Sequence, residues 1–285
     1  MAVASQAETY ERLSNILPQY QISVAPIVVD ERIVDLSPGN MPWSRDDFDV
    51  GYVFPRRVLE GDVASIALDI PWINDRDAIL RSRNKAATLT KLANGGLPVP
   101  QTLLISNPVD EDDLEAAFST FNGPVIIKPN TTTRGVGVAR ADDVDTFIGI
   151  ADYLELVHDF RATGDKSYLV QEFIESARDL RVMVIDGEYA GAVERIRAGD
   201  RAGRWKLNVH RGAHARRVTP DATCRDLAEA AAAELDIPLL GIDLLVTEDG
   251  PVISETNARP TIDDPSKYAP NFIDQFVDLI KETAP

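Results

Sequence analysis

Gly241 to Asn257 reads GIDLLVTEDGPVISETN: two apolar runs of strand length separated by Thr-Glu-Asp-Gly. Asp-Gly between such runs is a hairpin signal. Asp243 stands in the middle of the apolar run LLGIDLLV, where a carboxylate is costly unless an opposite charge accompanies it. The second run ends on Glu255, Thr256 and Asn257. If Asp249-Gly250 formed a two-residue turn, Asp243 would lie opposite Thr256, and Glu255 and Asn257 would point to the other face. If the loop is Glu248-Asp249-Gly250 with Gly250 left-handed, residue 247 pairs with 251. Asp243 then faces Glu255, and Asn257 lies on the same face two positions on. The second register is the one expected here. It gathers hard oxygen donors of the kind Mg²⁺ takes alongside phosphate oxygens.

The rest of the chain contains parts that such a site needs. VIIKP is an apolar strand that ends on Lys128, and the loop NTTTRGVGV follows it. Thr133 and its neighbouring hydroxyls, with Gly135 and Gly137 free to take positive φ, suit backbone N–H groups turned toward phosphate oxygens. The loop is not a Walker sequence, because no Gly-Lys-Ser/Thr follows. Nor is it a dinucleotide fingerprint, because Arg140 stands where the third glycine would fall. YLVQEFI offers an adenine slot, with Val170, Phe173 and Ile174 apolar and Glu172 placed for ribose hydroxyls; a plain half-buried strand is the alternative.

No repeat or low-complexity segment interrupts the chain. Residues 1–80 read as a small α/β lobe, with hairpin strands expected on either side of Asp30-Glu31-Arg32. The spacing predicts a Ser82-capped helix stopped by Gly95-Gly96. Further helices are expected over 144–160 and 222–235, and in NFIDQFVDLIKE; Asp186-Gly187 predicts a two-residue hairpin. Strands and helices interleave without a regular βαβ rhythm, so the expected class is α+β (α/β). The expected division is 1–80, 81–175 and 176–285, with the last two lobes sharing a cleft.

Composition excludes several functions. The 30 Asp and 16 Glu outnumber 22 Arg and 7 Lys, for a net charge of −17. No basic stripe is available for extended nucleic acid, and no run is apolar for long enough to cross a membrane. Short carboxylates in excess with few lysines fit a protein of concentrated salt, of halophilic archaeal origin, against the alternative of an acidic mesophile. MAVASQAETYERL lacks the basic-then-apolar order of a signal peptide. With one cysteine, Cys224, and 3 His, neither an internal disulfide nor a zinc framework is expected. A cytoplasmic location follows as an expectation.

Lys128, TTTRGVGV, QEFI, GID and ETN, in that order, resemble the ATP-grasp superfamily. DLRVMVIDGEYAGAVERI with WKLNVHRGA resembles its RimK-type ligases, which add amino acids such as glutamate to a carboxyl group. The resemblance spans about residues 81–280, and the first 80 are similar to the family's small N-terminal lobe. It implies that Lys85 and Lys128 contact ATP phosphates, and that Gln171, Glu172, Phe173 and Ile174 line the adenine and ribose site. Asp179 and the stretch Lys206, Leu207 and Asn208 would approach the nucleotide. Asp243, Glu255 and Asn257 would bind two Mg²⁺ (or Mn²⁺), and Arg211 would face the γ-phosphate and an acyl phosphate. The metals, Lys128 and Arg211 would then carry catalysis, with His210, beside Arg211, a structural or positioning residue rather than a base.

The pattern departs from the family after Asn257. A loop of small residues with Pro-Gly is common there, whereas this chain has NARPTIDDPSKY. Arg259 either binds a substrate carboxylate or pairs with Asp263 and Asp264. The implied partners are ATP, an amino acid (glutamate first) and a carboxylate acceptor, with a homo-oligomer left open. Another ATP-grasp ligase, making a dipeptide or a coenzyme tail, and a non-catalytic nucleotide-binding module are the competing readings.

Overall fold

The computed structural model describes residues 2–5, 7–37, 39–132, 135–160, 166–175, 178–196, 214–262 and 265–285. Three sheets organise it. The first contains β1 (Ala2–Ser5), β2 (Ser23–Pro26), β3 (Val50–Val53) and β4 (Trp72–Asn74) in the order β2-β1-β3-β4. Every pairing in it is parallel, with α1 (Ala7–Ile16) and α2 (Val58–Leu68) supplying crossovers. The hairpin expected around Asp30-Glu31-Arg32 is therefore absent: among the described residues between 27 and 49 there are only turns, irregular backbone and one short 3₁₀ segment. The reason is burial. All four residues of β3 are buried, the signature of a strand covered on both faces, and parallel partners require long connections.

Two helices lead out of this sheet. Asp75 caps α3 (Arg76–Arg83), and Asn84 caps α4 (Lys85–Asn94) by accepting from the Ala87 N–H. Ser82, expected as the cap, is instead buried at the end of α3. Its hydroxyl bonds Thr256 Oγ1 at 3.1 Å and accepts from the Ala258 N–H at 3.0 Å. Two N-caps compete here, and the amide wins because Ser82 is drawn into the helix–strand interface. The stop follows the glycines as expected, with Gly95 as C-cap and Gly96 at φ +75°.

The second sheet contains β5 (Thr102–Ser106), β6 (Val125–Pro129), β7 (Ala139–Ala141) and β8 (Ser167–Glu172), in the order β5-β8-β6-β7. Its pairings are antiparallel. Val125, Ile127 and Val170 turn to one face and join Phe147 and Leu114 of the helices α5 (Glu111–Phe118) and α6 (Val144–Phe160) in a core. Because side chains alternate along a strand, Lys128 and Gln171 are left on the opposite face.

The third sheet contains β9 (Arg178–Ile185), β10 (Glu188–Ile196), β11 (His214–Val218), β12 (Leu239–Thr247) and β13 (Gly250–Asn257). Their order is β11-β10-β9-β12-β13, antiparallel throughout. One face presents Leu180, Val182, Ile242 and Leu244, which join the core that also holds Leu227, Ala228 and Ala231 of α7 (Ala222–Leu235). α4 packs against α7 and β13, and α8 (Phe272–Thr283) against β3, β4, β9 and β10. The first and third sheets thereby share one core, and the second has its own.

Candidate active site

Two irregular hairpins set the site. Between β12 and β13 the turn is Glu248-Asp249, closed by Thr247 opposite Gly250. This corrects the expected loop of three residues with 247 opposite 251. Left alone, the observed turn would put Asp243 opposite Ser254. A bulge at Ser254 shifts the register by one, so Asp243 faces Glu255, Ile242 faces Thr256 and Gly241 faces Asn257. The expected pairing of Asp243 with Glu255 thus arises by a different route, an extra residue in the strand rather than in the loop. The other hairpin, β9–β10, turns at Asp186-Gly187 as the sequence predicts, both with positive φ. It too slips by one residue, at Tyr189–Gly191, and so Arg195 comes opposite Asp179.

β9 and β12 join the two hairpins, with Asp243 opposite Arg181. Asp243 is 3% exposed. Arg181 grips it with Nε on Oδ1 at 2.6 Å and NH2 on Oδ2 at 2.7 Å, and Arg195 NH2 donates to Oδ2 at 2.7 Å. Arg195 NH1 also donates to both Asp179 oxygens, at 2.9 and 3.2 Å. Burial alone would raise the Asp243 pKa, but Arg181 and then Arg195 outweigh it and hold it at about 2. Asp179 fares differently. Burial, with the Asp243 charge nearby, overcomes Arg195 and lifts it to about 6. A buried acid in β12 was anticipated; the charges that accompany it were sought in a metal, whereas the structure supplies two guanidinium groups.

Across from this face stand two lysines, each 7% exposed. Lys128 Nζ donates to Gln171 Oε1 at 2.9 Å and to the Ser254 carbonyl at 3.3 Å, bridging the second and third sheets at the bulge. Burial depresses its pKa to about 8; Glu255 and Asp243 oppose that fall, and Lys85 assists it. Lys85, at the start of α4, lies 3.4 Å from Glu255 Oε1 and also donates to the Thr132 carbonyl. The described cluster holds four cations (Lys85, Lys128, Arg181, Arg195) against three carboxylates (Asp179, Asp243, Glu255). Such a balance suits a polyanion better than a lone cation.

The other anticipated residues fall as follows. Gly135 and Gly137 both have positive φ, and a Cβ on Gly137 would lie 2.7 Å from Pro129 Cγ, so this turn demands glycine. Gln171 spends its amide on Lys128 and on Thr102 Oγ1, at 2.8 Å; it positions the lysine. Glu172 Oε1 accepts from the Gln101 N–H at 2.8 Å. The Phe173 ring carries the Arg140 guanidinium 4.2 Å from its centroid, and Ile174 is half-buried beside it. Val170 is fully buried in the core of the second sheet, so it lines no slot. Asn257 Oδ1 accepts from the Arg259 N–H at 2.9 Å, and Arg259 NH1 donates to the Phe54 carbonyl. Thr133, Lys206, Leu207, Asn208, His210, Arg211, Asp263 and Asp264 lie outside the described residues.

Among the described residues no group of three His, Cys, Asp or Glu side chains is arranged to hold a metal ion, so a divalent ion here would rest on one or two carboxylates, the Asn257 amide oxygen and the oxygens of a bound phosphate. The donor chemistry fits. A carboxylate offers about four acceptor positions, and the two arginines occupy three on Asp243. Glu255 and Asn257 add oxygens on the same face.

Sequence reasoning passed over Arg181 and Arg195. Asp179 and Arg181 two apart in a strand were a readable hint of one charged face; the Arg195 contact depends on the β10 bulge and had no local signal.

The fold matches D-cycloserine synthetase DcsG with a TM-score of 0.74 at 17% identity, covering 99% of this chain and 98% of that one. That is an ATP-grasp fold, with helices and several sheets. In sequence, residues 82–280 match the RimK-like ATP-grasp domain, and the chain belongs to that family. A probable alpha-L-glutamate ligase of Shewanella halifaxensis is 32% identical over 199 residues, 69% of this chain and 41% of the relative. One of Legionella pneumophila (strain Corby) is 32% identical over 215 residues, 74% of this chain and 67% of the relative. The matches thus span between two-fifths and two-thirds of these relatives' length. No described helix is long and apolar enough to cross a membrane.

Proposed function

We propose that this chain is an ATP-dependent carboxylate–amine ligase. In this reading a substrate carboxylate attacks the γ-phosphorus of ATP and releases ADP, and an amine then displaces phosphate from the resulting acyl phosphate to leave an amide or peptide bond. Glutamate or a similar amino acid is the amine, and the acceptor is the carboxyl group of a small molecule, peptide or carrier. The observation that carries it is the pair of buried lysines that meet β13 at the bulge aligning Asp243, Lys85 from α4 on the Glu255 carboxylate and Lys128 from β6 on the Ser254 carbonyl. Phosphoryl transfer between anions depends chiefly on positioning and charge neutralisation, and this arrangement does both. Lys128, tethered by Gln171, holds phosphate oxygens, while Arg181 and Arg195 keep Asp243 ionised and oriented. Phe173 and Ile174 border the base, and Asp243, Glu255 and Asn257 would hold two Mg²⁺ (or Mn²⁺). When bound, these ions neutralise charge on the transferring phosphoryl group. Arg211 is assigned to the same phosphoryl group from the sequence alone.

The reading takes 81–175 and 176–285 as the lobes that enclose the nucleotide and 1–80 as the lobe that precedes them. It places the enzyme in the cytoplasm, in keeping with a buried free thiol at Cys224, and its acidic, lysine-poor composition in concentrated salt. The test is phosphate release from Mg-ATP with a panel of amino acids and acceptors at high salt. Release that depends on one amine and one acceptor is expected. ATP binding with no release in any combination would turn the reading toward a non-catalytic module. Glu255→Gln should keep nucleotide affinity and lose turnover at least about a hundredfold; unchanged turnover would remove Glu255 from the metal set.

A further inference from the structure

Asp243 is the carboxylate that the ligase reading assigns to Mg²⁺, and two guanidinium groups already hold it. Arg181 places Nε on Oδ1 and NH2 on Oδ2, and Arg195 NH2 adds a third bond, again at Oδ2. The two arginines are not equivalent. Both bonds from Arg181 end on Asp243, and no other carboxylate of the described residues lies within ion-pair distance of it. Arg195 stands between two acids instead, with NH1 on both oxygens of Asp179. Giving up its bond to Asp243 would leave Arg195 anchored on Asp179, whereas Arg181 would be stranded. The Arg195 and Asp179 side chains are only 15% and 12% exposed, so little water is at hand to replace either partner.

A divalent ion would compete with this arrangement. Bonded to the acceptor position that the arginines leave on Asp243, it would stand beside two guanidinium charges, and like charges that close repel strongly in a buried site. Lys85 and Lys128 sharpen the conflict, since both act on Glu255 from across the site. The field of the cluster opposes a bare cation and favours a polyanion. Nucleotide phosphates would reverse that balance, because they supply the negative charge that both the ion and a released guanidinium need.

We propose that Arg195 gates the metal site: it holds Asp243 until nucleotide phosphates enter, then cedes that carboxylate to the divalent ion and remains on Asp179. Arg181 keeps its fork on Asp243 throughout and orients it. Loading is thereby ordered, with the ion entering alongside or after the nucleotide and not before it. This deepens the ligase reading and rests on it for the ion and for Asp243 as its ligand, though not for the contacts of Arg195.

The probe is Mn²⁺, followed by its electron paramagnetic resonance signal with the full chain and no nucleotide. Arg195→Gln should bind it at least about tenfold more tightly than the parent. Arg178→Gln is the control: it removes the same charge from the same sheet, but its partner is Glu194. Its Mn²⁺ affinity should stay within about twofold of the parent's. The gain in Arg195→Gln should vanish when Glu255→Gln is added, which places the ion. With the Mn²⁺ complex of a non-hydrolysable ATP analogue, parent and Arg195→Gln should differ by less than about threefold. Should Arg195→Gln not fold, Arg195→Lys takes its place, because one ammonium does not span both acids as the guanidinium fork does; a gain of about threefold is expected. Mn²⁺ binding in these variants no tighter than in Arg178→Gln, or a gain that survives Glu255→Gln, overturns the gate. The ligase reading fails separately: no phosphate release alongside the expected Mn²⁺ titrations sinks that reading and leaves the gate standing.

Discussion

The β9–β10 and β12–β13 hairpins do the same job with different chemistry. The first turns on Asp186 and Gly187, both left-handed, and the second on Glu248-Asp249 with the positive φ displaced to Gly250. Each then inserts one residue into a strand. The β10 bulge aligns Arg195 with Asp179, the Ser254 bulge aligns Asp243 with Glu255, and β9–β12 pairing joins the two sets. One hairpin contributes guanidinium groups and the other mainly oxygen donors. Because side chains alternate with a period of two, a slip of one residue in either hairpin would send half the site to the apolar face. The phosphate cluster is therefore a property of two registers rather than of either strand.

The largest effect should come from cutting the link between the hairpins. Asp243→Ala leaves Arg181 and Arg195 facing a buried void, and should lower stability by about 3–5 kcal/mol and abolish turnover. Urea unfolding of the variant checks the first; a midpoint like the parent's would mean that the arginines find other partners.

Next comes Gly191, at the β10 bulge. Its φ is +137°, and a Cβ there would lie 2.7 Å from the Tyr268 Cα. Gly191→Ala should cost about 2–4 kcal/mol, adding backbone strain to a clash with main chain that has no room to shift.

A pH-dependent difference should separate the two carboxylates that share Arg195. The folded pKa of Asp179 is raised to about 6 from 3.8, so the folded state holds the extra proton between those values. Its contribution therefore falls as pH rises through that window. Asp243 is depressed to about 2, and its contribution is lost only as pH falls from about 4 toward 2. Asp179→Asn should gain about 2–3 kcal/mol relative to the parent between pH 4 and pH 6, read from urea midpoints across that range. A constant difference would show that Asp179 is not the titrating group.

Lys128 titrates at about pH 8 before ligand binds, so nucleotide affinity should weaken by about tenfold per pH unit above that point. Fluorescence titrations with an ATP analogue from pH 7 to 9.5 would show it, and Lys128→Arg should flatten the profile. The smallest effect belongs to Gly250→Ala. Gly250 shares a positive φ, +117°, but nothing lies within 4 Å of its would-be Cβ. A loss of about 1 kcal/mol is expected from backbone strain alone; a loss as large as that at Gly191 would erase the distinction between the two hairpins.

Local chemistry was enough to read much of this molecule. The helices Val144–Phe160 and Ala222–Leu235 carry their own apolar periodicity, and the Asp186-Gly187 turn follows from two residues that tolerate positive φ. The parallel first sheet escaped because short apolar strands look alike whether their partners run parallel or antiparallel. Ser82 was misread as a cap because only the packing of α3 on β13 shows that its hydroxyl is needed elsewhere.

By itself the sequence determined which groups exist for the site: an acid in an apolar strand, a lysine at a strand end, a glycine-bearing loop and the Glu-Thr-Asn run. The tertiary structure decided which of them meet. Bulges obey no local propensity strong enough to read, since they are set by what packs against the strand, as Tyr268 does at Gly191. Whether Asp243 would face Glu255, and which cations would accompany it in the interior, therefore awaited the packed sheet.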